Sequence, residues 1–495
     1  MISNLRSKFL IVILLLSIPA LAFPHTLRIF GKNHLSYWQW QDSTGINEHF
    51  LRDILTVNAT YGNFRGNVEW YVYEPSDVTF RLRSEGLRKR FIEYKKPEWS
   101  IRAGNFYSSL GRGLILNQTD ETAGSIERNM DGLIFRYTYK FASLTLLSGR
   151  PKNIHFINKQ YFIVNATSDL LQAGNIVFNP VSFFLPFSIN FVRLSSDDPA
   201  SSLSLPFETL LYSFGIEPSI GPFIAYVEIA RKEGWDGLLF AEAEGMGIYG
   251  SLTFFLEKFS ASFEYLQYDS LGYGGSIYRY NAPPTANLDN YSINRGSDEK
   301  GWMIDVTSNP FGDMYVQINK STLSTISSDS IGFEEFFGEI KSPLWHNGPS
   351  MLASGKQIIY RWPEPIVEQK TELIPHIELL SAMRSHSLKL GLGSRIVEID
   401  SIGKAIDFRD DAISVDIGIF SYLSLSGRWE RRNREVLFES EGTEWKVFEI
   451  RWDLSNAHTL HIMVGSEKGG LVCTGGICRI EEPFEGIKVN LFSRF

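Results

Sequence analysis

The stretch Phe484-Glu-Gly-Ile-Lys-Val-Asn-Leu-Phe-Ser-Arg-Phe495 decides how this sequence is read. Ile487, Val489, Leu491 and Phe495 fall on one alternating set, and Lys488, Asn490 and Arg494 fall on the other. Ser493 interrupts the apolar set and Phe492 the polar one. Alternation at period two marks a strand with one apolar and one wet face. Soluble domains more often finish in a loose, polar end. The rest of the sequence must therefore say which apolar medium this face meets.

The same alternation recurs along the chain. Ile413, Val415, Ile417 and Ile419 alternate with Ser414, Asp416 and Gly418. Phe448, Ile450, Trp452 and Leu454 alternate with Glu449, Arg451 and Asp453. Phe263 and Tyr265 alternate with Ser262 and Glu264, and 68–73 is a less regular example. With their flanks these strands read as about nine to twelve residues, the length of a tilted membrane-crossing strand and longer than the roughly five to six of soluble sheets. Helical periodicity is not sustained over several turns. The Gly, Asp, Asn and Ser residues of 308–313 and 148–153 read as turn punctuation, and 424–427 as punctuation near a short turn. Strands of about ten residues joined by alternating short and long loops give roughly 18–24 strands. In lipid every backbone N–H and C=O needs a partner, which an open sheet edge lacks. The reading is all-β: a single transmembrane antiparallel β-barrel over residues 23–495, its last strand pairing with the first near 26–40. Residues 111–130 and 271–300 are too long and polar for turns and belong on the outer side or inside the lumen.

The amino-terminal residues give the compartment. Arg6 and Lys8, an apolar run at 9–18 and Pro19-Ala-Leu-Ala22 read as a signal peptide, residues 1–22, cleaved after Ala22. The run, at roughly ten residues, is too short to cross a bilayer as a helix, and no later stretch reaches the about 18 uncharged apolar residues of a helical span. The formal charge is −8, and more acidic by two once Arg6 and Lys8 are removed. That balance argues against nucleic acid as a partner. Aromatics are 14 % of a chain whose hydrophobic total is 43 % and whose mean hydropathy is −0.10, so apolar residues are interleaved with polar ones. A large soluble β-protein would also be rich in aromatics, and composition alone does not separate the two. Cys473 and Cys478 bracket a small Thr-Gly-Gly-Ile loop. In an exported chain a disulfide is the expected use of such a pair, and without neighbouring His they make a poor zinc set.

Three stretches carry a family resemblance: Gly465-Ser-Glu-Lys-Gly-Gly-Leu-Val-Cys-Thr-Gly-Gly-Ile-Cys-Arg479 with Pro483-Phe-Glu-Gly486 and the final Phe; Ala103-Gly-Asn-Phe-Tyr-Ser-Ser-Leu-Gly-Arg-Gly-Leu114; and Tyr280-Asn-Ala-Pro-Pro284 with Asn294-Arg295. Together they resemble an uncharacterised family of large bacterial outer-membrane β-barrel proteins, a domain of unknown function with a TonB-receptor-like barrel and no plug. The resemblance implies the bacterial outer membrane and its lipid as surroundings, and assigns no activity. The ending is also similar to the signal that barrel-assembly machinery reads, with Gly486, Leu491 and Phe495 as its positions and Ser493 as a departure.

Candidate lumen-lining residues are Arg112, Arg128, Asp131, Arg295, Lys488 and Arg494. For 104–113 one reading is a lumen loop whose Arg112 meets an anionic solute. The other is a strand ending in a glycine-permitted bend, with Arg112 paired to Asp120, Glu121 or Asp131. No enzyme is expected, because Gly-x-Ser-x-Gly is absent and the nine histidines are mostly scattered singly. No cofactor or metal is implied. The functional expectation is a pore or transporter for an unknown small solute. The alternative is a loop-plugged barrel that acts as scaffold or binding protein for a surface or periplasmic partner.

Overall fold

A computed structural model describes residues 26–41, 47–76, 82–121, 126–157, 160–165, 169–179, 185–196, 207–236, 241–242, 244–274, 279–294, 296–328, 331–345, 348–362, 369–401, 404–434, 436, 442–468, 470–474, 477–481 and 484–495. The expected signal peptide, residues 1–22, lies outside them, as does Arg295. The chain runs as antiparallel hairpins in sequence order, and 24 strands close into one barrel. The first strand, Arg28–Gln41, pairs with Asn47–Tyr61 on one side and with the last strand, Phe484–Arg494, on the other.

The closing pair continues to the final residue. Opposed pairs run from Lys32 and Arg494 to Trp40 and Gly486. Beyond them the Gly31 N–H donates to the Phe495 carbonyl at 2.7 Å, and the Phe495 N–H donates to Gly31 at 3.1 Å. Gly486 sits where the strands approach closely: a Cβ there would lie 2.0 Å from the Gln39 carbonyl oxygen. Leu491 stands opposite Leu35, and Leu460 lies across from it on His458–Glu467.

Alternation sorts the two faces as the sequence reading required. Ile413, Ile417, Phe448, Trp452, Phe263, Tyr265 and Ile487 are exposed outward, and Lys488 is buried inward. Two rims differ. Short turns gather at one, including 62–63, 140–141, 257–258 and 456–457, and the long connections at the other. Aromatic rings touch along the short-turn rim: Phe64 with Tyr94 at 4.8 Å, Tyr94 with Trp99 at 5.2 Å, Phe141 with Phe178 at 5.3 Å and Phe223 with Phe254 at 4.8 Å. Outward ion pairs lie toward the long-loop rim, among them Arg193–Glu208 at 2.8 Å and Lys320–Glu334 at 3.2 Å. An apolar belt between an aromatic girdle and a charged girdle is the outer surface of a membrane barrel.

One expected turn is corrected. Residues 148–153 lie inside the strand Ala142–Ile157, where Gly149 stands opposite Gly132, so their Gly and Pro mark close backbone packing. Residues 424–427 open the strand Leu423–Arg432, directly after the short turn at 421–422, as expected. Residues 308–313 do form a turn, between Glu299–Ser308 and Tyr315–Ser324.

Gly486→Val places its side chain against the Gln39 carbonyl and is expected to abolish most of the heat-modifiable folded band on a gel. A fully retained band would show that this approach does not control closure.

Candidate functional site: a lumen filled on one side by two loops

The described residues of both segments that the sequence marks as too long for turns fold into the lumen. The first leaves the wall after Trp99–Phe106, forms a small hairpin of Ser108–Leu110 with Leu116–Gln118, and returns at Ile126–Tyr139. The second runs from the end of Phe259–Asp269 to the start of Glu299–Ser308. They bond to each other through their backbones. The Asn117 N–H donates to the Tyr280 carbonyl at 2.8 Å, and the Ala282 N–H to Gly113 at 3.1 Å. Side chains complete the joint: the Tyr273 hydroxyl donates to the Ile115 carbonyl at 2.6 Å, and Asn281 Nδ2 to Leu114 at 2.8 Å and Leu271 at 3.2 Å.

An apolar core holds this loop pair to the wall. Leu110, Leu114, Ile115, Leu116, Leu271 and Tyr273 pack against inward-facing Leu171, Val192, Leu194, Leu211, Leu266 and Met303. Each such aliphatic side chain taken out of water contributes about 1.5–3 kcal/mol. Polar ties pin the rim of the plug. Lys232 Nζ donates to the Gly272 carbonyl at 3.0 Å, and the Tyr268 hydroxyl to Pro284 at 2.9 Å. Tyr280 donates to the Asp169 carboxylate. Lys356 bridges Glu335, at 2.8 Å, and Asp289. Burial pushes the Tyr273 and Tyr280 hydroxyls up, helped for Tyr280 by Asp169, so both remain protonated donors.

The tip of the first loop crosses the depth of the barrel to the short-turn rim. Gly111–Gly113 forms a single 3-10 turn with positive φ at all three residues. A Cβ on Gly111 would lie 2.1 Å from the Glu228 carboxylate, and one on Gly113 would lie 2.4 Å from the Ala282 carbonyl. Only glycine fits either place. Arg112 projects between them, its guanidinium 3.7 Å above the Tyr226 ring and 3.1 Å from Glu217. Glu217 belongs to the short connection after Phe207–Ile216. Behind the tip, Glu228 accepts from Ser213 and from Tyr226, each at 2.5 Å.

The opposite side of the lumen is polar and reached by water. Inward-facing Glu449 and Lys389 each keep 37 % of their side-chain surface, whereas Leu114, Ile115 and Leu116 keep none. Glu449 pairs with His461 at 2.8 Å, and Glu378 with Lys389 at 2.7 Å. Nearer the long-loop rim the charges are buried in matched pairs. Arg432 makes a two-pronged contact with Asp410 at 2.6 and 2.9 Å, Arg395 does so with Glu372 at 2.8 Å, and Lys488 meets Glu467 at 2.6 Å. Bidentate geometry offsets the cost of burying such charges.

The candidate residues scatter over this architecture. Arg112 is at the plug tip, and its ion pair is with Glu217. Of its three expected partners, Asp131 pairs with Arg90 at 3.4 Å, and the side chains of Asp120 and Glu121 lie outside the described residues. Arg128 is half-buried on Ile126–Tyr139, its N–H bonded to the Thr119 carbonyl at 3.0 Å. Lys488 is buried, its ammonium 4.6 Å from the Trp38 ring, and Arg494 is exposed at the short-turn rim. Cys473 and Cys478 stand opposite each other on the hairpin Gly470–Thr474 and Ile477–Glu481, with their side chains outside the described residues. The sequence reading missed Glu217, Tyr226, Asn281 and Lys356. A partial signal was present in the wall, since Val192 and Leu194 of Phe187–Ser196 put apolar side chains on the inner face where a wet lumen would take polar ones.

The profile of DUF6029, a family of unknown function, matches residues 13–325. The chain belongs to that family. The match encloses both plug loops, while the carboxy-terminal stretch from Gly465 lies beyond it. No curated protein matches the chain. The solved "Structure of the P pilus usher (PapC) translocation pore" is similar at a TM-score of 0.50 and 8 % identity, covering 94 % of this chain and 99 % of that one. The E. coli P pilus tip assembly intermediate PapC-PapD-PapK-PapG is similar at 0.52 and 8 % identity, covering 96 % of this chain and 62 % of that one. Identity this low shows the fold alone. This member of DUF6029 is a large barrel that resembles outer-membrane pores.

Two predictions test the plug. Asn281→Ala leaves the Leu114 and Leu271 carbonyls without their donor, a cost of about 1–3 kcal/mol. It is expected to make 271–298 cleavable by protease while the barrel stays folded; equal resistance would show that Asn281 does not hold the joint. The second concerns Asp298, which accepts from the Ser327 hydroxyl and from the N–H groups of Ile326 and Ser327 at 2.8 and 2.7 Å. These bonds hold its carboxyl below the ordinary range. A lowered carboxylate stabilises fully above its unfolded value of about 3.9 and loses that stabilisation as pH falls through the folded value. Exchange of the Ile326 and Ser327 amides should accelerate only below that range, and a pH-independent opening equilibrium would contradict it.

Proposed function

We propose that this chain is an outer-membrane pore for a small polar solute, with one side of the lumen filled by the loop pair and a passage along the opposite wall. The observation that carries the reading is the asymmetry of the interior. The plugged side is dry and apolar, while Glu449, Lys389 and Arg428 on the other side keep water-accessible charge. A barrel of about 20 or more strands encloses more volume than its wall side chains fill. Charges of both signs line the passage, which suits a polar solute and favours neither sign. The outer membrane as location is supported by the girdles and by the similarity of the fold to outer-membrane barrels. In that setting the last strand, with Gly486, Leu491 and Phe495, serves as the assembly signal, and Cys473 and Cys478 close their hairpin as a disulfide. Two thiols that react only after reductant would support the disulfide, and thiols reactive at once in purified protein would refute it.

The second reading, a plugged barrel that docks a surface or periplasmic partner, draws on the same loops. Conductance separates the two. Wild-type protein in a planar bilayer is expected to give discrete open events in KCl. Silence at every applied voltage, from protein that is heat-modifiable and inserted, would overturn the open passage and favour the docking barrel.

A further inference from the structure

We propose that the long-loop half of the open passage is an anion-attracting vestibule whose solute carries a carboxylate or phosphate group; this deepens the pore reading above and rests on it. Counted by type the lining favours neither sign, but counted by depth it does not balance. In ion pairs of the inner wall the carboxylate lies deep and its cation stands over it toward water. Arg395 keeps 22 % of its side-chain surface and Glu372 7 %, Lys468 keeps 23 % and Asp410 2 %, and Arg428 keeps 34 % and Glu467 10 %. Arg102 on Trp99–Phe106 and Glu93 on Ser84–Lys95 repeat the order at 23 and 6 %. Outward pairs lack it: Arg193 and Glu208 keep 49 and 48 %, and Arg409 and Asp411 keep 55 and 48 %. Inside a barrel water lies only toward the axis, so the long stem of Arg or Lys reaches it and a short carboxylate stays at the wall.

The charges of this layer also do not cancel. Lys370 at 2.9 Å and Arg395 at 2.8 Å share Glu372, and Arg395 reaches on to Asp410 at 3.5 Å. Asp410 takes Arg432 at 2.6 Å and Lys468 at 3.2 Å, and Lys468 also meets Glu430. That chain of contacts joins four cations to three carboxylates. Beside it, Lys488 at 2.6 Å and Arg428 at 3.7 Å share the single carboxylate of Glu467. Among the described residues each set is left with one positive charge, and the side chains that water reaches in both are cations. Arg432, buried against the Phe408 ring at 4.4 Å, holds the layer from behind. A cleft that shows one sign of charge between low-dielectric walls focuses its field and concentrates ions of the other sign. Guanidinium and ammonium groups offered in this way match the oxygens of a carboxylate or phosphate. Toward the short-turn rim the order ends, since Glu449 and Lys389 are equally exposed, so the preference is set in the long-loop half.

The test is the reversal potential of full-length protein in a planar bilayer under a KCl gradient, with every variant shown folded by heat modifiability. In wild type, chloride is expected to pass about two- to fivefold more readily than potassium, and less so as salt rises. Arg428→Gln and Lys468→Gln should each lower that ratio about twofold. Lys468→Arg should keep it, and Lys446→Gln, which removes an exposed cation from the outer face, should leave it unchanged. Inorganic phosphate or malonate added on the long-loop side should interrupt the chloride current of wild type, and do so less in Lys468→Gln. Interruption by phosphate alone assigns a phosphate-bearing solute, by malonate alone a carboxylate, and by neither overturns the oxyanion site. Conducting protein that passes potassium as readily as chloride, or a ratio that neither glutamine variant moves, overturns the vestibule and leaves the pore standing. Protein that is silent in every form overturns both.

Discussion

A sheet edge in hydrocarbon would leave a row of N–H and C=O groups with no partner, each at a cost of several kcal/mol. The pairing of Arg28–Gln41 with Phe484–Arg494 removes that edge, and the rest of the molecule depends on it. Closure fixes which residues face lipid, because a slip of one residue at the seam would turn every side chain of the last strand to the other face. Glycine at 486 and the mutual bonds of Gly31 and Phe495 pin the register at both ends of the seam. The short-turn connections then fall on one rim and the long ones on the other, which gives the loops a common side from which to enter the lumen.

Closing 24 strands creates a second problem, which is how to occupy the interior. The chain solves it in two ways. On one side, inward Leu, Val and Met residues meet the loop pair and form a dry core. On the other, inward charges are matched near the long-loop rim, as in Arg432 with Asp410, and left wet farther down, as in Glu449 with His461. The two solutions need each other. Without the loops the apolar inner wall would face water, and without an open side the exposed charges would be buried at great cost. The interior is therefore divided by composition into a dry, apolar side and a charged, wetter one.

The fold was legible because lipid and lumen impose alternation, and the alternation is cleanest where the lumen is wet. Ile413–Ile419 and Phe448–Leu454 show it plainly, and they lie on the open side. It fades in strands such as Phe187–Ser196, where Val192 and Leu194 face the plug while Ile189 and Phe191 face outward. A period-two rule treats that as noise, although it records what covers the inner wall. The misread turn at 148–153 has a related cause. Gly and Pro announce a break in a strand only when no neighbouring backbone requires them, and here Gly132 and Gly149 stand opposite each other. Arg112 was legible as a charged residue of a loop, but its partner was not. Glu217 lies 105 positions away in sequence, and only the depth of the loop brings them together.

The stretches that carry the family resemblance also acquire a physical reason. Residues 103–114 and 280–284 are far apart in the chain, yet Gly113 and Ala282 touch, and Tyr280 and Asn281 bind the backbone of the other loop. A wall strand needs only an apolar outer set, and many residues satisfy that. The joint between two loops inside a barrel needs particular ones: glycine where a Cβ would strike a carbonyl, an amide that reaches two carbonyls at once, and a phenol buried against a backbone oxygen. Such positions tolerate few substitutes, so recognisable words in the sequence collect there rather than along the wall. In this protein the words that look like punctuation between strands are the parts that shape the lumen, and the strands are the frame that holds them at membrane depth.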